Sequence, residues 1–265
     1  MIAVTSMELN TWMYAFLWPL LRVGAMFSVA PIFGARMVPA KVRAALALVM
    51  SLMMAPMIVQ DTVPVEIFSA DGLLVGTQQV LIGLTMGFTL QLVFTSIVIA
   101  AQSIAMSMGL GFANAVDPQN GVQVPVVAQY YLTLATLMFL ALNGHLVLVQ
   151  LLVDSFISLP VGTTGLTPTD YWSLVSWGSR MFAGAVAIAL TAIASLLLVN
   201  LAFGVMSRAA PQLNIFGVGF PVMMLTGFVI IMLSVPGITP HVSNLAQEAF
   251  LLLQDMLGGG LNDGR

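Results

Sequence analysis

This sequence contains no cysteine and only two histidines, and charged residues make up just 6% of it. Each scarcity excludes something. Without cysteine there is no disulfide, no thiolate metal site and no cysteine nucleophile. His145 and His241 have no second ligand at useful spacing, so no metal centre is expected. A soluble domain carries roughly 25% charged residues, so an ordinary soluble protein is excluded too. The net charge of −3 leaves no basic footprint for nucleic acid. No HExxH, no GxSxG and no phosphate-binding glycine loop occurs, and no two carboxylates stand at helical spacing within an apolar segment. An enzyme is therefore not expected, nor a cofactor. Gly109-Leu110-Gly111 lacks the third glycine and the preceding strand of a dinucleotide site, and reads as a flexible hinge at a helix end. Met1 to Asn10 has no basic start and carries Glu8, so no cleaved signal peptide is expected.

What remains is apolar. Hydrophobic residues make up 60% of the chain, and the mean hydropathy is +1.04. Such a chain is solvated by membrane lipids or by other protein. Its 265 residues read as one all-α unit without a long linker. Charged and helix-breaking residues divide it into apolar segments at 11–30, 41–59, 72–107, 125–153, 171–207 and 215–254. The first two match the ~20 residues needed to cross a hydrocarbon core. The others exceed it: a helix over 72–107 would be about 54 Å long at 1.5 Å per residue. Broken or hairpin helices are therefore expected, with weak points at Gly83 and Gly87, at Gly184 and at Pro236-Gly237. Basic links (Arg36, Lys41 and Arg43; Arg208) alternate with acidic ones (Asp61, Glu66 and Asp71; Asp154 and Asp170). By the positive-inside rule this puts both termini outside.

One segment fits neither lipid nor a plain helix. From Gly72 to Val116 no side chain is charged, and the run GLGFANAVDPQNGVQVP then intervenes between Gly109 and Pro125. Its irregular backbone cannot face lipid, where each unpaired group costs several kcal/mol. It must leave the membrane or line a protein-walled cavity. Arg22, in the middle of WPLLRVGAMF, needs backbone carbonyls or a neighbouring subunit as partners. Asp154 reads as a solvated boundary residue, and the His145 imidazole is expected to satisfy a carbonyl freed by Asn143-Gly144. The chain holds 19 methionines. Most read as core filler, but Met106 and Met108 abut the polar insert, where flexible thioethers suit a seal.

Four runs, RVGAMFSVAPIFGARMVPAKVRAALAL, GLGFANAVDPQNG, NGHLVLVQLLVDSF and PQLNIFGVGFP, appear in this order. Together they resemble the FliR/SctT family of type III secretion export-gate subunits, in its flagellar rather than its injectisome form. The resemblance spans essentially the whole chain, and DPQNG and PQLNIFGVGFP are its most specific parts. It implies an inner-membrane subunit of the flagellar basal body, assembled with FliP and FliQ and contacting FlhB at the cytoplasmic entrance. It implies a FliP-like portion over about 1–165 and a FliQ-like helix hairpin over about 166–265. It also implies a gate standing largely above the membrane plane, which passes unfolded flagellar proteins. On this chain the pore-plugging loop falls at 109–122, with Gly109, Gly111, Phe112, Asn114, Asp117, Pro118, Asn120 and Gly121 as plug residues. Met106 and Met108 flank it as a pore seal. Subunit contacts fall on Pro211, Gln212, Asn214, Phe216, Gly219, Phe220 and Pro221, with Arg22 joining them as an interface residue. After Pro221 the family often has a lysine, whereas this chain has Val222-Met223-Met224, so the ionic contact tied to that lysine is not carried over.

The alternative from another class is a secondary transporter for a small solute, which also uses broken helices to line its site. Few buried carboxylates and no convincing internal repeat count against it. Co-purification separates the two, since a transporter acts alone or as a homo-oligomer and a gate subunit needs FliP and FliQ.

Overall fold

The computed structural model describes residues 6–35, 38–58, 69–110, 126–209 and 219–258. Among the described residues the chain is all-α, in seven helices. They are α1 (Ser6–Val29), α2 (Ala40–Ile58), α3 (Ala70–Ser107), α4 (Val126–Ala141), α5 (Gly144–Ser158), α6 (Pro168–Ala209) and α7 (Phe220–Gly258). Three of them, α3, α6 and α7, are long and apolar enough to cross a membrane, and α4 with α5 makes a fourth if the bent pair counts as one span. At 1.5 Å per residue the three run to about 57–63 Å, twice a ~30 Å hydrocarbon core.

Local chemistry explains where the helices begin and end. Ser69 caps α3, its Oγ accepting from Gly72 N at 3.0 Å. At α6, Thr167 and Asp170 cap each other around Pro168: Thr167 N donates to Asp170 Oδ2 at 2.7 Å and Asp170 N to Thr167 Oγ1 at 3.3 Å. Hydroxyls within the apolar helices are spent on their own backbone, as when Thr89 Oγ1 donates to Thr85 O at 2.8 Å and Ser51 Oγ to Ala47 O at 2.6 Å.

The expected weak points behave otherwise. Gly83 and Gly87 do not break α3, and Gly184 does not break α6. Pro236 and Pro240 lie inside α7, which continues through them. The break falls instead between α4 and α5, which meet at 63°. There Asn143 takes left-handed angles (φ 57°) directly before Gly144, a conformation asparagine tolerates better than most residues. His145 Nδ1, expected to satisfy a freed carbonyl, is buried and has no hydrogen-bond partner among the described residues.

The chain forms two compact units. One comprises residues 1–92, 143–177 and 246–265, the other 93–142 and 178–245, so three boundaries fall within α3, α6 and α7 and the fourth at the break between α4 and α5. In the first unit α1 packs on α2, and Tyr14 and Trp18 bury against Val75, with Leu17, Leu21 and Val161 packed around them. The glycines of α3 let α1 come close. A Cβ on Gly83 would collide with the Arg22 carbonyl, and one on Gly87 would lie 2.8 Å from Met26 O. In the second unit Phe94 meets Phe139 edge-on at 5.6 Å, and Gly184 accommodates Leu245, whose Cδ1 would stand 2.7 Å from an added Cβ.

Candidate functional site

The described part of the site begins where α3 ends. Gly109 N donates to Met106 O at 3.0 Å, and Leu110 N to Ala105 O at 3.1 Å. With Gly109 at φ 85°, these two bonds form a Schellman motif, the closure that satisfies the last carbonyls of a helix through a left-handed glycine. The hinge expected at Gly109-Leu110-Gly111 is thus a helix end, and its described part is held by hydrogen bonds. The chain leaves α3 in a fixed direction at Leu110.

The two methionines beside the motif separate. Met106 is 73% exposed, whereas Met108 is fully buried. Met108 lies against α7 at Gly227, where a Cβ would come within 2.5 Å of its Cε and 2.6 Å of its Cγ. One residue on, a Cβ at Gly109 would stand 3.3 Å from Cδ2 and Cε2 of Phe220. Of the turn residues, Gly219 is buried, and Phe220 and Pro221 are exposed at the start of α7. Gly111, Phe112, Asn114, Asp117, Pro118, Asn120 and Gly121 lie outside the described residues, as do Pro211, Gln212, Asn214 and Phe216.

Arg22 forms a separate polar centre in the first unit. It is 0% exposed. Its Nε donates to Gln79 Oε1 at 2.8 Å, its Nη1 to Ser155 O at 2.8 Å and to Ser155 Oγ at 3.0 Å, and its Nη2 to Leu159 O at 2.9 Å. The guanidinium also lies over the Phe156 ring, 4.1 Å from its centroid. Of the two kinds of partner open to it, Arg22 takes carbonyls of its own chain. The interface assignment is corrected accordingly: a wholly buried side chain offers no surface to a neighbour. Its cation sits at the C-terminus of α5, where orphan carbonyls and the helix dipole favour positive charge. Asp154 is exposed and accepts from Gln150 Nε2 at 2.9 Å. Among the described residues no group of three or more His, Asp or Glu side chains is placed to hold a metal.

Three participants escaped sequence reasoning. Gln79 and Ser155 complete the Arg22 centre, and Gly227 receives Met108. A buried arginine announces that partners exist but not where along the chain they lie. A lone glycine in MLTGFV gives no sign of what fills the space beside it.

Long apolar helices with buried polar groups spent on holding those helices together define an all-α membrane protein. Residues 13–249 match the family described as bacterial export proteins, family 1. The chain is 41% identical over 257 residues to the flagellar biosynthetic protein FliR of Escherichia coli K12, covering 97% of this chain and 98% of the relative. It is 38% identical over 257 residues to FliR of Pectobacterium carotovorum, covering 97% and 98%, and 30% identical over 247 residues to FliR of Bacillus subtilis, covering 92% and 94%. The chain belongs to the FliR/SctT family of bacterial export proteins and is a component of flagellar protein export.

Proposed function

We propose that this chain is a structural and gating subunit of the flagellar type III export channel, in which the segment 109–122 obstructs the pore. It has no catalytic chemistry of its own. It assembles with FliP and FliQ, meets FlhB at the cytoplasmic entrance, and lets unfolded flagellar proteins pass in the inner-membrane part of the basal body. Residues 1–165 serve as its FliP-like portion and residues 166–265 as a FliQ-like hairpin turning at Pro211 to Pro221.

The observation that carries this reading is the polar, glycine- and proline-rich run from Gly109 to Pro125, set between the apolar helices α3 and α4. Irregular backbone in such a setting is tolerated only inside protein or against a wet cavity. The fixed exit at Gly109 supports it, as does membership of an export family. Met106, exposed beside that exit, is available as the sealing thioether. A strain lacking the chain should fail to export flagellar proteins, and tagged chain should retain FliP and FliQ through purification. Normal export in that strain, or an active homo-oligomer free of both partners, would overturn the reading in favour of a solute transporter.

A further inference from the structure

The end of α3 is gripped by α7 at two points. Phe220 and Gly227 are seven residues apart, about two helical turns, and so share one face of α7. The Phe220 ring covers Gly109, with 3.3 Å between its edge and the site of an added Cβ. Gly227 opens the space that the Met108 thioether fills, with Cε 2.5 Å and Sδ 2.8 Å from the position a Cβ would take. Both contacts use the absence of a side chain on one partner. Gly109 also needs its positive φ of 85° for the Schellman closure, which other residues adopt only with strain. Past these two contacts α7 is less closely packed. An apolar cleft of about 420 Å3 lies in the first unit, whereas here a cleft of about 270 Å3 separates α4 from α7, between Val126, Val127 and Tyr130 on one side and Phe228, Ile231 and Met232 on the other. The first two turns of α7 are therefore close-packed against Met108 and Gly109, and the cleft against α4 opens only beyond them, from Phe228 onward.

We infer that Met108–Gly227 and Gly109–Phe220 form a latch through which the first turns of α7 hold the root of the obstructing segment. A displacement of α7 at its N-terminal end releases Met108 and uncovers Gly109, leaving only the two Schellman bonds to hold the root of the segment. Since the 210–218 stretch of the sequence leads into α7, a partner acting on it reaches the obstruction through this latch. This inference rests on the reading that the 109–122 segment obstructs the channel.

The absence of native cysteine makes the test direct. The site of a Cβ at position 227 lies 2.6 Å from Met108 Cγ, which puts the two Cβ atoms within about 4 Å, inside the range of a disulfide. In the assembled FliP–FliQ complex, Met108→Cys with Gly227→Cys should cross-link on oxidation and lower export of flagellar proteins about tenfold, within the range of ordinary coupling between two sites. A reductant should restore it. Export unchanged at full cross-linking would overturn the latch, while the export defect of a strain lacking the chain would still stand for the gate reading. A second pair of variants covers the case in which the reduced double variant does not export. Gly227→Ala expels the thioether and should make membranes leak small ions, and Met108→Ala added to it should restore the seal by freeing the space. A tight membrane in the assembled Gly227→Ala complex, or a leak that Met108→Ala leaves in place, would also overturn the latch.

Discussion

Met108 occupies the space that a side chain at Gly227 would need: an added Cβ would come within 2.5 Å of its Cε. A fully buried thioether from the end of α3 thus meets a glycine two turns into α7. The root of the polar segment is anchored by packing and by the two Schellman bonds at Gly109 and Leu110.

Arg22 holds α1, α3 and α5 together. Arg22→Leu should leave Gln79 Oε1 and the Leu159 carbonyl without their donor, at roughly 1–3 kcal/mol for each buried group left unpaired, whereas Ser155 O keeps the Leu159 N–H. Arg22→Lys should rescue only in part, because an ammonium cannot reproduce the guanidinium fork. Thermal melting of the purified complex in detergent measures this. Wild-type melting for Arg22→Leu would contradict the assignment.

Gly83 and Gly178 make a matched pair. A Cβ on Gly83 meets the α1 backbone, whereas one on Gly178 meets nothing within 4 Å. Gly83→Ala should therefore lower the yield of folded chain, since backbone on both sides must move. Gly178→Ala should hold or gain stability in the chain itself, up to ~1 kcal/mol from helix propensity. Protease resistance of the two variants, compared at equal expression, reads the difference.

Expressed alone, the chain should aggregate or be degraded. On α6, Phe182, Val186, Leu190, Leu197, Leu201 and Val205 are all exposed, which is more apolar face than a folded monomer ordinarily leaves uncovered outside lipid. Co-expression with FliP and FliQ should give a monodisperse complex by size exclusion. A monodisperse, protease-resistant monomer would contradict the obligate-subunit reading.

The helical class and the excess length of the later segments could be read from hydropathy alone. So could the demand of Arg22 for partners, because a guanidinium in an apolar helix has few tolerable surroundings. The breaks could not. Gly83, Gly87 and Gly184 look like weak points in isolation, yet each makes room for a neighbour: the α1 backbone at the first two and Leu245 at the third. Packing of this kind supports a helix where propensity would weaken it. Pro236 and Pro240 likewise sit within a continuous α7. At Asn143-Gly144 the local signal won, because a left-handed residue ends α4 where it stands. The latch was half legible: Met108 and Phe220 both stood out in the sequence, but their convergence on one face of α7 is a tertiary fact.

The obstruction itself is tested most directly by permeability. Deleting Phe112 to Gly121 leaves the Schellman closure and Met108 in place, so the complex with FliP and FliQ should still assemble. Membranes containing that complex should conduct small ions, while membranes with the full-length chain stay tight. Equal tightness of the two, in complexes of the same composition, would contradict the claim that this segment closes the channel.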